Sequence, residues 1–353
     1  MKEKKVTIKD VAQESGVAVS TVSHVLNGTA KISDATKNRV LEVIRAMNYI
    51  PSNRKARGGG ASSKVIGMML ADMTNEFYSR CTNAVMNAAA AENYSVLIGE
   101  IAYDYKREYM CVEAMIEKGV EGIIFTGGAM DANIIRRANK SIPVVLCDRK
   151  LMGTPFPTVT TDNVTIMRDL VALLSTWGYT KLGYVSESLE LHNLKERFLG
   201  FKIGVEENGL RLQDQHTLIL PKHRTDKVTT ANQCLKEYME KHTAKDLPEV
   251  FVTTSDLIAI GVSSALKENG LRIPEDIGIT GFDDISVAAH LDPPLTTVAQ
   301  NMNELGLYSF RNVLNLIHGT AIGIPHSVVD AKIITRGSVL GNRLPLYGVE
   351  ETN

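Results

Sequence analysis

The 353-residue sequence predicts an N-terminal all-α helix-turn-helix headpiece followed by an α/β core of two doubly wound parallel-sheet lobes. Three observations predict this. Residues 7–48 carry three short apolar stripes at helical spacing, separated by Gly16 and by Asn27-Gly28. From Lys64 onward short apolar runs alternate with helical patterns, the rhythm of βαβ units whose sheets are covered on both faces. Between the two stands Gly58-Gly59-Gly60-Ala61-Ser62-Ser63, the composition of a linker.

The headpiece elements follow from their ends. Thr7 caps the first helix and Asp10, three residues on, completes a capping-box pattern. Ile8, Val11 and Ala12 share one face, and Gly16 supplies the positive φ that turns the chain into the next helix. Val22, Val25 and Leu26 face inward on the second helix. Ser33 caps a third that reaches Met47, with Val40, Val43, Ile44 and Met47 as its stripe. Each helix is too short to be stable alone, so the three must share a small core. That leaves Val19, Ser20 and His24 on one exposed face of the second helix, the face that enters a major groove in a helix-turn-helix. Ser20 exchanges hydrogen bonds with a base edge, His24 donates to guanine or phosphate, and Val19 meets a thymine methyl. Thr7, Thr21, Ser23, Asn27, Ser33 and Tyr49 are polar groups suited to phosphate contacts, which position without specifying.

Charge agrees. Residues 1–60 hold eleven Lys and Arg against five Asp and Glu, a net of +6, while the remainder holds 28 against 35, a net of −7. A basic module on an acidic body fits nucleic-acid binding. No apolar run approaches a membrane span and no leader-like segment opens the chain, so a cytoplasmic protein is expected. Cys81, Cys111, Cys147 and Cys234 are scattered without metal-ligand spacing, which suits reduced thiols.

In the core, strands are expected at 65–70, 94–99, 122–126, 143–147, 182–185, 217–220, 250–253 and 277–280. Helices are expected at 77–92, 106–118, 164–176, 194–208, 227–241 and 257–269. Such sheets bind ligands in the loops at their strands' carboxyl ends. The residues there are Asp72, Asn75, Phe77, Tyr78, Asp148, Arg149, Asp162, Ser255, Asp256, Asp283 and Asp284. Carboxylates accept from ring hydroxyls and aromatic faces stack on C–H surfaces, which suits a sugar-like or nucleobase-like ligand. No nucleophile elbow, phosphate loop, HExxH or dinucleotide fingerprint is present, so neither catalysis nor a cofactor or metal is expected.

The run VTIKDVAQESGVAVSTVSHVLNG, followed by ISDATKNRVLEVIRAMNYIPS, resembles the headpiece of the LacI/GalR family of transcriptional regulators, and the resemblance extends over nearly the whole chain. It implies a homodimeric repressor of a pseudo-palindromic double-stranded operator. In this family Val19, Ser20 and His24 would read bases, with Thr7, Ser23, Asn27 and Tyr49 on phosphates. It implies a headpiece at 1–48, a hinge at 49–63 and a periplasmic-binding-protein-like effector core at 64–353. The N-lobe would be about 64–163 and 300–329, and the C-lobe about 164–299 and 330–345. Effector contacts would be Phe77, Tyr78, Asp148, Arg149, Arg197, Asp283 and Gln300.

The sequence departs from the family pattern at four places, one of them Ser255-Asp256, where the family has an Asn-Asp pair. Ala18 stands where a capping Ser is usual, a loss of about 1 kcal/mol. The hinge has glycine where the family's intercalating Leu stands, leaving Arg54, Lys55 and Arg57 to enter a minor groove by charge. Pro221-Lys222-His223-Arg224 replaces a Gly-Asp-aromatic run, and its cations favour an acidic ligand. The alternative reading is a soluble small-molecule sensor that has lost sequence-specific DNA binding.

Overall fold

The structure is a computed structural model that describes residues 7–27, 32–47, 62–127, 132–151, 156–221, 226–243, 245–320 and 326–341. It divides into two compact units, Met1–Ser62 and Ser63–Asn353.

The first unit contains α1 (Ile8–Ser15), α2 (Val19–Asn27) and α3 (Asp34–Ala46). The capping box forms: Asp10 Oδ2 accepts from the Thr7 backbone N–H and hydroxyl at 2.6 Å, and Thr7 Oγ1 accepts from the Asp10 N–H. Gly16 ends α1 at φ 64, in the left-handed region that it enters without a Cβ penalty. The Ala18 carbonyl accepts from Thr21 and Val22 N–H at the start of α2. Ser33 Oγ accepts from the Thr36 N–H at 3.3 Å and so caps α3. Val11, Ala12, Val22 and Val40 are buried together, with Ile8, Val17, Val25, Val43 and Met47 packed around them. Each fully buried valine contributes about 2 kcal/mol, a small core that all three helices must share.

The second unit is two α/β lobes. The first runs β1 (Val65–Leu70), α4 (Glu76–Ala91), β2 (Ser95–Glu100), α5 (Tyr105–Glu117), β3 (Gly122–Thr126), α6 (Ala132–Ser141), β4 (Val144–Cys147) and β5 (Thr158–Thr161). The chain then builds the second lobe with α7 (Asn163–Thr176), β6 (Leu182–Ser186), α8 (His192–Glu207), β7 (Thr217–Ile219), α9 (Lys227–Met239), β8 (Val250–Thr253), α10 (Asp256–Glu268), β9 (Gly278–Asp283) and β10 (Thr296–Gln300). It returns to the first lobe for α11 (Met302–His318) and β11 (His326–Val329), and ends in the second with β12 (Ala331–Ile334). The sheet orders are β11-β5-β4-β3-β1-β2 and β12-β10-β9-β8-β6-β7. All pairs are parallel except β10 with β12, where Thr297 faces Ile334 on an antiparallel edge.

Alternation along the strands builds a core on each face of each sheet. Ile66, Met68 and Leu70 pack with Cys81 and Val85 of α4 and Leu305 and Phe310 of α11. Met69, Ile123 and Phe125 point the other way, onto Val112 and Met115 of α5 and Ile135 of α6. In the second lobe Tyr184, Val250 and Val252 meet Leu170 of α7 and Phe201 of α8, while Val185, Phe251 and Ile279 meet Leu235 of α9 and Val262 of α10. The four cysteines are free thiols. No helix among the described residues is long and apolar enough to cross a membrane.

Candidate functional site

Two surfaces carry the polar chemistry, one in each unit. On α2, Val19, Ser20 and His24 are exposed, and Val19 shows 41% of its surface. The inward face of the helix is pinned by Val22, so these three side chains share the outer face. Thr21 and Ser23 are half-buried on the flanks. Thr7 and Ser33 sit at the starts of α1 and α3, where the helix dipole favours anions. The Asn27 side chain, together with Tyr49, Arg54, Lys55 and Arg57, lies outside the described residues.

In the core unit the carboxyl ends of the strands of both sheets supply one polar cluster. Asp72 follows β1 and is buried; its Oδ1 accepts from Thr74 N–H at 2.8 Å and Thr74 hydroxyl at 2.6 Å, while its buried Oδ2 has no partner. Asn75 caps α4, with Oδ1 accepting from Phe77 N–H. Phe77 is buried in the first lobe's core, edge-on to Tyr78 at 5.2 Å between centroids. The Tyr78 ring lies over Gly127, where a Cβ would come within 2.4 Å of its hydroxyl; Gly127 also holds φ 67. Only glycine satisfies both demands there.

Asp148 follows β4 at φ 53, a backbone strain that persists only where surroundings enforce it. Its Oδ2 accepts from Asn193 Nδ2 of α8 at 2.9 Å, and its Oδ1 is buried without a partner. Arg149 donates to the Gly127 carbonyl and faces Glu108. From the second lobe, Arg197 stacks on Phe282 at 3.6 Å and donates to Asn163 Oδ1 at 2.9 Å and the Thr254 carbonyl at 2.7 Å. Asp283 ends β9 at φ 121 and accepts from Gln300 Nε2 at 2.8 Å. Gln300 in turn accepts from Thr161 of the first lobe at 2.7 Å.

Ser255 and Asp256 hold other groups in place. Ser255 Oγ caps α10 through Ile258 N–H. Both Asp256 oxygens accept from the second lobe's own backbone and side chains, Oδ2 from Ile285 N–H and Oδ1 from Thr297 Oγ1.

Burial dominates the electrostatics. It pushes the Asp148 carboxyl up to about 7 against the opposing pull of Arg197, with Asp283 adding to the rise. It raises Asp256 to about 7, helped by Asp283, and Asp283 itself to about 6 against Arg197. It lowers Arg149 to about 10 despite Glu108.

Residues with no motif to mark them complete the cluster. Lys227 opens α9, is buried, and pairs with Glu187 beyond β6 at 2.7 Å. Burial works against its charge, but Glu187 outweighs burial and holds its pKa above the ordinary value. Tyr103 of the first lobe faces this pair and Tyr78, and adopts φ 56 next to Ala102 at φ 46. Two further clasps join the lobes. The Glu76 carboxylate accepts from Ser286 N–H at 2.9 and 3.0 Å and from its hydroxyl at 2.7 Å. Lys150 meets Glu196 at 2.9 Å on α8. No group of three or more possible metal ligands occurs among the described residues.

A helix-turn-helix unit with an exposed second helix, joined in sequence to a two-lobed core with polar strand ends, defines a regulator class: a DNA-binding headpiece on a ligand-binding core. Comparison with known proteins makes the assignment specific. Residues 7–52 match the family of bacterial regulatory proteins of the lacI type, and residues 171–339 match a periplasmic binding protein-like domain. The chain is 30% identical to the transcriptional repressor CytR of Escherichia coli (strain K12) over 334 residues, covering 94% of this chain and 96% of CytR. It is 31% identical to the regulator KdgR of Bacillus subtilis (strain 168) over 339 residues, covering 94% and 97%. Among solved structures, the lac repressor dimer bound to operator and an anti-inducer superposes with a TM-score of 0.69 at 22% identity, covering 95% of this chain and 99% of that one. The regulator CelR in complex with cellobiose superposes at 0.71 with 20% identity, covering 94% and 99%. The chain belongs to the LacI family and is a DNA-binding transcriptional regulator.

Proposed function

We propose that the protein is a homodimeric repressor, acting in the cytoplasm, whose operator affinity is set by a small sugar-like effector held between the lobes. Two headpieces address a pseudo-palindrome, since each one reads only a half-site. Val19, Ser20 and His24 read base edges. Thr7, Thr21, Ser23, Asn27, Ser33 and Tyr49 hold phosphates, and Arg54, Lys55 and Arg57 of the hinge, residues 49–63, enter the minor groove. The protein performs no reaction of its own.

The observation that carries the effector reading is the convergence of Asp148 from one lobe with Arg197, Asp283 and Gln300 from the other. A ligand touching both lobes binds their closed and open arrangements differently, and only such a difference shifts an equilibrium. Asp72, Tyr78 and Arg149 add contacts from the first lobe. Asn75, Phe77, Ser255 and Asp256 shape the walls. The test is selection of bound sequences from random duplexes, then anisotropy titration of the selected duplex with and without candidate sugars. A symmetric preference relieved or strengthened by a sugar is the expected result. A duplex bound without sequence preference at moderate salt would favour the sensor that no longer reads DNA.

A further inference from the structure

This inference rests on reading the cleft as an effector site and adds the chemistry of the ligand. Among the described residues the cluster holds five acidic groups, Asp72, Glu108, Asp148, Glu187 and Asp283, against three cations, Arg149, Arg197 and Lys227; with Asp148 and Asp283 pushed up to about 7 and about 6, the full negative excess is present only above those values. Each cation is engaged already: Lys227 by Glu187, Arg197 by Asn163, the Thr254 carbonyl and the Phe282 ring, and Arg149 by the Gly127 carbonyl and Glu108.

The carboxylates are not all matched. Asp72 Oδ2 and Asp148 Oδ1 have no hydrogen-bond partner, although the two residues are only 2% and 4% exposed. Neither can swing away to find one. Thr74 fixes the other oxygen of Asp72, and Asn193 fixes the other oxygen of Asp148. A buried acceptor without a donor is costly, and only a donor relieves it. A ligand hydroxyl supplies one donor. A protonated amine supplies three and a charge of the missing sign, so Coulomb attraction adds to the hydrogen bond that a hydroxyl makes to the same carboxylate. A carboxylate or phosphate supplies acceptors alone and adds to the negative excess.

We propose that the cleft selects a polyhydroxylated ring bearing a protonated amine, such as an amino sugar, with Asp148 accepting from the ammonium beside Asp283 and Asp72 accepting from a neighbouring donor. This runs against the acidic ligand that Lys222 and Arg224 suggest in the sequence, and those residues lie outside the described ones.

Isothermal calorimetry on the full chain decides, using matched sets of hexosamine, hexose and hexuronate in the gluco, galacto and manno configurations. The amine should bind at least about tenfold tighter than its hydroxyl counterpart, and the uronate weakest. Asp148→Asn should bring the amine-to-hydroxyl ratio towards one, a readout that a general loss of affinity does not move. Equal affinity for amine and hydroxyl, a uronate that binds tightest, or a preference that survives Asp148→Asn overturns the proposal. No binding by any member overturns the cleft reading and the proposal together. An amine that binds tightest yet leaves operator affinity unchanged supports the ligand class and removes effector control.

Discussion

Asp148 is held in a left-handed backbone, buried, and left with one unpaired oxygen. Its carboxyl is pushed up to about 7 and that of Asp283 to about 6, from an ordinary 3.8. Between about pH 4 and pH 7 the folded protein therefore keeps protons that the unfolded chain has released. The contribution is complete below about pH 4 and is lost as pH rises through the folded values. Unliganded wild type should lose melting temperature relative to Asp148→Asn as pH is raised from about 5 to about 8. Parallel melting curves for the two proteins across that range would contradict the burial argument. In the headpiece, His24→Ala should weaken operator binding by about 1–3 kcal/mol and relax discrimination at one base position, measured by anisotropy against single-base operator variants. A uniform loss across all variants would instead make His24 a phosphate contact.

Residue roles were unevenly legible in the sequence. Asp72, Asp148 and Asp283 stand out because each follows an apolar run that reads as a strand. Glu187 also follows such a run, but in a Ser-Glu-Ser setting that reads as any loop, and Lys227 reads as the first residue of a helix. Their pairing exists only once β6 and α9 are placed. The two fully engaged oxygens of Asp256 likewise depend on Thr297 of β10, forty-one residues away.

At the scale of elements, periodicity revealed β1 to β4 and β6 to β9, but not α6, α11, β11 or β12, which lie outside the expected ranges. Nor did it reveal β5 and β10, whose buried residues include Thr158, Thr160, Thr161, Thr296 and Thr297. A threonine strand lacks the apolar run that marks a buried strand. It is tolerated because hydroxyls find partners: Thr161 with Gln300, Thr297 with Asp256, and Thr296 with the Arg336 carbonyl. Nor does any local pattern show that β12 pairs antiparallel, since register across a sheet is a long-range choice. Helix ends were more legible, and Ala18 tests how far. Its carbonyl starts α2, but its side chain cannot accept from the first turn. Ala18→Ser should stabilise the headpiece by about 1 kcal/mol, read by chemical denaturation, and no gain would show that the first turn is satisfied otherwise. Between α7 and α8, a Cβ on Gly200 would fall 2.3 Å from the Val164 carbonyl oxygen. Because the obstacle is backbone, Gly200→Ala should destabilise the core by about 1–3 kcal/mol, despite the better helix propensity of alanine. An unchanged melting temperature would mean that the two helices are free to separate.

At the scale of the whole molecule, the chain passes between the two sheets three times, after Thr161, Gln300 and Val329. The passages at Thr161 and Gln300 lie beside the cluster and are tied to each other by a hydrogen bond. A ligand at Asp283 would sit one side chain, Gln300, from two of the three strands at which the chain passes between the lobes. The clasps Glu76–Ser286 and Lys150–Glu196 bridge the lobes independently of any ligand. Glu76→Gln should weaken the first clasp and lower effector affinity, because more of the binding energy then goes into closing the lobes. An affinity equal to that of wild type would show that closure does not depend on this clasp. The basic headpiece, net +6 over residues 1–60, makes operator affinity fall steeply with salt through counterion release.

A ligand-controlled repressor couples ligand in the core to operator at the headpiece. The most direct measurement is the dissociation constant for the selected operator, taken with and without saturating ligand, alongside the dissociation constant for ligand with and without saturating operator. Coupling predicts a change of about 5–150-fold in the first and the same factor in the second, because binding linkage is reciprocal. Operator affinity that stays constant while the ligand demonstrably binds would contradict it.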